Sequence, residues 1–484
     1  MGNPDPGTTQ ASLEAVQAAR RMEVDRRLRR VTGAPLRQGN HLRLLQNGAE
    51  TYDDWLAAIA RAQRWIHLEN YIFRNDAIGR RFADALAERA ADGVAVRVLV
   101  DWFGSMDVAP SFWRRLRKAG VDVRLVNPPN LGEPLKIFQR DHRKVLAVDG
   151  AYASAGGVCI ADDWLARAPD TGLPYRDTAV SVRGPAVADI ERAFADVWDQ
   201  FGAPLPRRER PALGAIAPAG DDDVRVIVQE PGKMRILRVL ELLAADVKQR
   251  LWIADAYFLA SPSLTQSIMS AAQDGIDVRI LLPATNDLPI VGALSRTGYR
   301  QLLEAGVRIW EYTGLMMHAK TTVADGVWAR VGSTNLNITG LVTNWELDVV
   351  AEDAEFGAQM EAMFERDLEH AREICLARRG RRRSAQPERR FTRTERAARR
   401  RRNRLPERRS AAVATLSRVG QAAFQESIDP LSRHERIVSG TISALLLVVA
   451  LLGARYPRLL GWPLAAIGAL LGWTGLLRAL RPNR

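Results

Sequence analysis

The chain has 484 residues, 47% hydrophobic and 26% charged, ordinary globular material with room for two or three domains. Two cysteines, Cys159 and Cys375, exclude a disulfide framework and suit a reducing compartment, and no Cys/His cluster has metal-ligand spacing. Sixteen arginines against three glutamates between Arg378 and Arg409 account for the whole formal net charge of +13, and a basic tail on a neutral body argues against a groove built to track nucleic acid.

Met1 to Gln10 is polar and has no signal-peptide core, and Pro6 stands where myristoylation of Gly2 needs Ser or Thr. A charged helix follows from Leu13 to Val31, and residues 1–38 read as an N-terminal extension that carries no functional signal. From about Leu42 strand-like and helix-like segments alternate. Leu42 to Leu45 reads as a strand, Tyr52 to Arg64 as a helix, Trp65 to Leu68 as a strand, Ile78 to Ala91 as a helix and Val94 to Val100 as a strand. Such alternation predicts a layered α/β domain over 39–205.

The second half, 223–375, repeats the order after a Pro- and Arg-containing linker at 206–222. Trp65-Ile66 answers to Trp252-Ile253, Asp92-Gly93-Val94 to Asp274-Gly275-Ile276, and Ala119-Gly120-Val121 to Ala305-Gly306-Val307. The offsets of 187, 182 and 186 residues differ only by loop-sized insertions, which marks an internal duplication.

The end of the chain differs in kind. The Arg-rich segment 376–410 is too charged to bury. Val413, Leu416, Val419, Ala423 and Phe424 recur at helical spacing, an expected interfacial amphipathic helix within 411–436. Ile437 to Ala454 then holds eighteen residues without a charge and Leu459 to Leu477 nineteen, each just long enough to cross about 30 Å of hydrocarbon. With only Arg455-Tyr456-Pro457-Arg458 between them, 437–480 is expected to form a membrane hairpin; the alternatives are a pair of buried helices or a re-entrant hairpin. The arginine excess before the first span places that side in the cytoplasm. The run itself either holds anionic headgroups or serves only as a topology signal.

The chemistry lies in one pattern that occurs twice, H-x-K-x4-D. His142, Lys144 and Asp149 form the first copy and His318, Lys320 and Asp325 the second, 176 residues on. A glycine stands fourteen residues after each histidine, at Gly156 and Gly332. In an apolar, β-branched run, His and Lys two apart project from one face of a strand. That face presents an imidazole, which can attack or shuttle a proton, beside an ammonium that can hold a phosphate oxygen. Two such faces brought together would equip a phosphodiester displacement that needs no metal or other cofactor. The bland alternative is two unrelated core strands, each with a buried histidine and a snorkelling lysine.

These residues resemble the phospholipase D superfamily and, within it, the bacterial cardiolipin synthases. The resemblance rests on Met317-His318-Ala319-Lys320 with Val331-Gly332-Ser333-Thr334-Asn335, on His142-Arg143-Lys144 with Gly156-Gly157, and on Glu69-Asn70-Tyr71-Ile72-Phe73 with Asp76 and Gly79. It covers about residues 39 to 370 and implies two tandem, pseudo-symmetric α/β/α sandwich domains, with the C-terminal hairpin appended. It further implies His142 as the nucleophile that forms a phosphohistidine and His318 as general acid, then base. Lys144, Lys320, Asn335 and Ser333 would bind or support the phosphate. Asp149 and Asp325 belong to the catalytic motifs, with a local structural role favoured over substrate contact. Asp177 and Glu346, with Asp348 as a rival to Glu346, fit the acidic residue that orients each imidazole. Glu69 and Asn70 either line the pocket or close a strand end. The pattern departs at Cys159, which aligns with Asn335 and leaves the first half short of one phosphate donor.

The expected activity is therefore a cardiolipin synthase of the bacterial cytoplasmic membrane, its catalytic halves in the cytoplasm, moving a phosphatidyl group from one phosphatidylglycerol to another and releasing glycerol. The partners are phospholipids and the membrane, with no nucleic acid and no cofactor or metal. A hydrolytic phospholipase D needs the same residues and only a better-placed water. A superfamily nuclease is disfavoured by the neutral catalytic halves, and a decayed scaffold by two intact motifs.

Overall fold

Leu42 and Leu45, three apart and so on opposite faces, are both buried in the first strand of a mixed sheet that is covered on both sides. The structure, a computed structural model, describes residues 22–376 except 130–135, 137, 138 and 213. The arginine segment beyond 376, the amphipathic helix at 411–436 and the hairpin at 437–480 therefore lie outside the described residues. Among the described residues no helix is long and apolar enough to cross a membrane.

Helix α1 (22–32) leads into the first half. That half runs β1 (Arg37–Gln46), α2 (Asn47–Arg61), β2 (Trp65–Asn70), α3 (Ala77–Ala91), β3 (Ala95–Asp101), α4 (Pro110–Lys118) and β4 (Asp122–Val126). It continues with β5 (Lys144–Val148), β6 (Tyr152–Gly156), β7 (Thr178–Arg183) and α5 (Val187–Trp198). The second half runs β8 (Asp222–Gln229), α6 (Arg235–Asp246), β9 (Arg250–Ala254), α7 (Pro262–Gln273), β10 (Asp277–Pro283), α8 (Pro289–Thr297), α9 (Tyr299–Glu304) and β11 (Arg308–Tyr312). It closes with β12 (Thr321–Ala324), β13 (Trp328–Gly332), β14 (Glu346–Ala351), α10 (Ala354–Glu369) and β15 (Ala371–Ile374).

The strands form one sheet in the order β15-β11-β10-β9-β12-β13-β14-β8-β1-β7-β6-β5-β2-β3-β4. Taken outward from the β1–β8 junction, the two halves have the same order, and β15 is an addition to the second. In each half three strands are parallel (β2, β3, β4; β9, β10, β11) and the remainder antiparallel. The Asp-Gly pairs repeated in the sequence are helix ends. Gly93 and Gly275 take φ of +88° and +90° just after α3 and α7, a conformation that stops a helix without the penalty a Cβ would carry.

One repeat is out of register in space. Asp149 accepts from the backbone N–H groups of residues 63, 64 and 65, and Asp325 from those of 248, 249 and 250. Trp65 is thus the counterpart of Arg250, and His67 that of Trp252. A slip of two residues keeps each side chain on its face, which is why the Trp-Ile dipeptides looked equivalent.

One apolar cluster backs α2, α3 and α4 onto the first half, and another backs α6, α7 and α9 onto the second. A third draws on both halves, from Val145, Val180 and Ile190 to Val331, Val349 and Met360. The N-terminal extension contributes to the second half's core. Leu28 is buried there with Val24 and Val31 beside it, spaced as one helical face, and Arg225 binds Asp25 at 2.8 Å. The linker is anchored by Glu209, buried and doubly bonded to Arg97 at 2.9 and 3.0 Å.

Candidate active site

β5 starts at Lys144 and β12 at Thr321, directly after Lys320, so each motif histidine lies just before a buried strand, on the face shared with its lysine. All four side chains are nearly inaccessible, with His142 7% and His318 5% exposed. Each histidine is held by the other half. Nδ1 of His142 lies 3.0 Å from Oε2 of Glu346 on β14, and Nδ1 of His318 lies 2.7 Å from Oδ2 of Asp177 beside β7.

The backbone enforces the crossing. The His142 N–H donates to the Trp345 carbonyl at 3.0 Å, and the Trp345 N–H to Arg140 at 2.9 Å. The symmetry-related pair runs from the His318 N–H to Arg176 at 2.7 Å and from the Arg176 N–H to Met316 at 2.8 Å. Two short parallel bridges therefore clip the histidine loops onto the opposite half.

The two carboxylates have unlike surroundings. Asp177 accepts from the Trp164 indole N–H at 2.7 Å and the Thr178 N–H at 2.8 Å; burial works to raise its pKa, but the charge and hydrogen bond of His318, the charge of Lys320 and the Trp164 donor bring it down to about 2. Glu346 accepts from the Ser333 hydroxyl at 2.5 Å and the Asn344 amide at 3.2 Å, and burial lifts it to about 7 against the pull of Lys144. Burial pushes both imidazoles below their ordinary value. Lys144, Lys320 and His318 add to this at His142, and Lys320 at His318. These mutual effects place both imidazoles and both ammonium groups in one electrostatic neighbourhood. Burial also lowers Lys144, and Lys320 to about 8. Each ammonium donates to the carbonyl of its own histidine, Lys144 at 2.5 Å.

Ser333 thus steadies Glu346, and Asn335 is buried with its Oδ1 lacking a partner among the described residues. Asp348 shares the face of Glu346 but turns to Arg330 at 3.1 Å and to Thr334, away from His142. Asn70 pairs with Lys144 in the β2–β5 ladder and so shares its face, whereas Glu69 lies on the opposite face, 3.7 Å from Arg143. Cys159 is fully buried among Val158, Ile160 and Ala161, a small apolar residue where the second half has Asn335.

The motif aspartates do not join the site, which corrects their grouping with the catalytic residues. Asp149 and Asp325 lie beyond the far ends of β5 and β12, on strands that rise about 3.3 Å per residue. There they accept from three successive backbone N–H groups each, at 2.7–2.8 Å and 2.8–3.0 Å.

The glycines after the motifs have a steric reason. A Cβ on Gly332 would stand 2.0 Å from Oδ1 of Asp348, and one on Gly156 would stand 2.5 Å from the Ala179 Cα. One on Gly157 would stand 2.1 Å from Oδ1 of Asp177. They let β14 and β7, with their carboxylates, close on the motif hairpins.

Sequence reasoning missed an aromatic layer. Tyr71 packs on His142 with centroids 4.7 Å apart, and Trp164 and Tyr257 pack edge-on to His318 at 5.4 and 6.0 Å. The Lys144 ammonium lies 5.0 Å from the Tyr71 ring and that of Lys320 5.9 Å from the Tyr257 ring. The available signal was positional, since both tyrosines follow the ends of equivalent strands. Among the described residues no group of three or more His, Cys, Asp or Glu could hold a metal ion.

Two imidazoles, each backed by a carboxylate and flanked by lysine, thus stand on a duplicated α/β fold of the phospholipase D-like class. The family model described as the cardiolipin synthase, PLD-like domain matches residues 55–198 and 241–368. A cardiolipin synthase of Alkalihalophilus pseudofirmus is 32% identical over 70% of this chain and 68% of its own length. Cardiolipin synthase A of Pseudomonas syringae is 32% identical over 75% and 76%. The crystal structure of a phosphatidylserine synthase from Haemophilus influenzae superposes with a TM-score of 0.58 at 17% identity, covering 73% of this chain and 92% of that one, a likeness of fold. The chain belongs to the cardiolipin synthase family of phospholipase D-like proteins.

Proposed function

We propose that the protein is a cardiolipin synthase that transfers a phosphatidyl group between two phosphatidylglycerol molecules. The observation that carries the reading is the crossed pairing of His142 with Glu346 and of His318 with Asp177, which gives one site two differently supported imidazoles. With Nδ1–H donating to Glu346, His142 presents the lone pair of Nε2. That nitrogen attacks phosphorus, the bond to the headgroup glycerol oxygen breaks, and His318 delivers its proton to that oxygen. Asp177, ionised at neutral pH, steadies the charged form of His318 before the transfer.

Glycerol leaves and a phosphatidyl-His142 remains. The neutral His318 then takes the proton from the headgroup hydroxyl of a second phosphatidylglycerol, whose oxygen attacks phosphorus and releases His142. The products are cardiolipin and glycerol. Lys144, Lys320 and Asn335 hold the non-bridging oxygens throughout, with Ser333 acting through Glu346. A hairpin at 437–480 would keep this site beside a dense supply of acceptor lipid, which favours transfer over attack by water.

The test is the lipid product. Purified full-length chain in bilayers of phosphatidylglycerol should yield cardiolipin and glycerol in equal amounts, and neither should form with His142→Ala. Phosphatidic acid as the sole lipid product would overturn the transferase reading.

A further inference from the structure

Ten large apolar side chains stand exposed among the described residues, and seven of them fall on four segments built against the site's aromatic layer. Phe103 and Met106 lie on the loop after β3. That loop rests on Tyr71: the Ser105 hydroxyl donates to the Tyr71 carbonyl at 3.3 Å, and a Cβ on Gly104 would stand 2.1 Å from the same oxygen. Leu288, Ile290 and Leu294 follow β10 at the equivalent place. Here Asn286 donates to the Ala256 carbonyl at 3.0 Å and the Tyr257 hydroxyl to Asp287 at 2.7 Å. Leu165 follows Trp164, and Ile338 follows Asn337, whose amide donates to the Tyr257 carbonyl at 3.2 Å.

Helix α8 shows the pattern most plainly. Its sequence PIVGALSRT has a single charge, Arg296, which is engaged by Glu311 at 2.7 Å, yet none of its residues is buried. An apolar helix with an uncharged outer face, only partly covered by the described residues, suits the boundary between headgroups and acyl chains. The chain itself points to that occupant, because beyond the described unit its sequence carries uncharged stretches of eighteen and nineteen residues.

We propose that these four segments form a lipid-contacting rim, with α8 and the loop after β3 entering the bilayer surface on either side of the site. The inference rests on the proposed reaction, and it says how a diacyl substrate reaches two nearly inaccessible imidazoles. The rim sinks to the level of the acyl chains, so the phosphate moves into the site while its tails stay in hydrocarbon.

The test places a fluorophore at the rim of the full-length chain. In a Cys375→Ser background, Ile290→Cys, Phe103→Cys and the control Val327→Cys are each labelled with an environment-sensitive dye and reconstituted in vesicles of phosphatidylglycerol and phosphatidylcholine. Ile290 is 64% exposed and Val327 51%, but Val327 sits at the β12–β13 turn, far from the site. The rim labels should shift to the blue, be quenched by a nitroxide on a shallow acyl carbon and resist aqueous iodide several-fold better than Val327. Equal iodide quenching at all three positions overturns the proposal. So does protection from iodide without quenching by the nitroxide lipid, which would assign the face to a second copy or another protein. The readout needs no turnover: rim labels in lipid without cardiolipin formation would sink the proposed reaction and leave the rim standing.

Discussion

Nδ1 of His142 and Oε2 of Glu346, 204 residues apart in the chain, lie 3.0 Å from each other across the junction of the two halves. The contact makes the second half the support of the first half's imidazole, and Asp177 returns the arrangement to His318. Each acid can therefore be tested against the histidine it serves.

Asp177→Asn should cut transfer on the order of 10²–10⁴-fold, because the amide can no longer stabilise the charged His318. Formation of the covalent intermediate from a phosphodiester with an activated phenolic leaving group should persist, since that departure needs no proton. Mass spectrometry of acid-quenched protein should find the adduct on the His142 peptide. Its absence, with the fold intact by circular dichroism, would remove His318 from the acid role.

The pH profile of kcat/KM should be a narrow bell. Burial raises Glu346 to about 7, so its carboxylate forms, and can hold His142, only as pH rises through that value. Burial lowers Lys320 to about 8, so its ammonium is lost as pH rises further. His318, the general acid, also loses its proton on this side, burial having pushed it below its ordinary value, so Lys320→Arg should shift the alkaline limb without abolishing it, because a guanidinium keeps its charge. An alkaline limb unmoved in that variant would assign it elsewhere. The same lowered pKa has a thermodynamic sign. Between about 8 and the ordinary lysine value of 10.5 the unfolded chain binds the proton that the folded one does not, so this group makes the fold more stable as pH rises there.

Asp149→Ala and Asp325→Ala should behave as stability variants. Each removes three backbone bonds to a carboxylate, at a cost on the order of 1–3 kcal/mol. Thermal unfolding should shift down while kcat, measured well below the transition, changes only several-fold. A large loss of kcat with unaltered melting would return them to the catalytic set.

Gly332→Ala should damage both fold and site. The added carbon meets Asp348 Oδ1 at 2.0 Å on β14, two residues from Glu346. Overpacking of this kind costs about 1–3 kcal/mol. Displacement of β14 should loosen the His142 support, so transfer should fall more than in a surface variant of matched stability. Wild-type kinetics in Gly332→Ala would refute the close-packing account of the conserved spacing between the two copies.

The motifs, the α/β alternation and the duplicated order were legible because each is written in local pattern: His and Lys two apart, Asp-Gly at helix ends, short apolar runs between amphipathic ones. The resemblance named Asp177 and Glu346 as the orienting acids, but their crossing to the other half's histidine was not legible, because separations of 204 and 141 residues leave no local trace. Glu346 and Asp348 share a strand face, so only the position of Arg330 shows which one is free to meet the histidine. The Trp-Ile repeat misled by two residues, since a period of two preserves the face at every even slip. Helix α1 did carry a signal, in the spacing of Val24, Leu28 and Val31, but its charged residues masked it.

The β1–β8 pairing bears on what happens when the chain is cut. A lone first half would leave β1 bare along one side, and a lone second half would do the same with β8, each a ready template for self-association. Dividing the protein near residue 210 should therefore give two sticky, insoluble fragments unless both are made together in one cell.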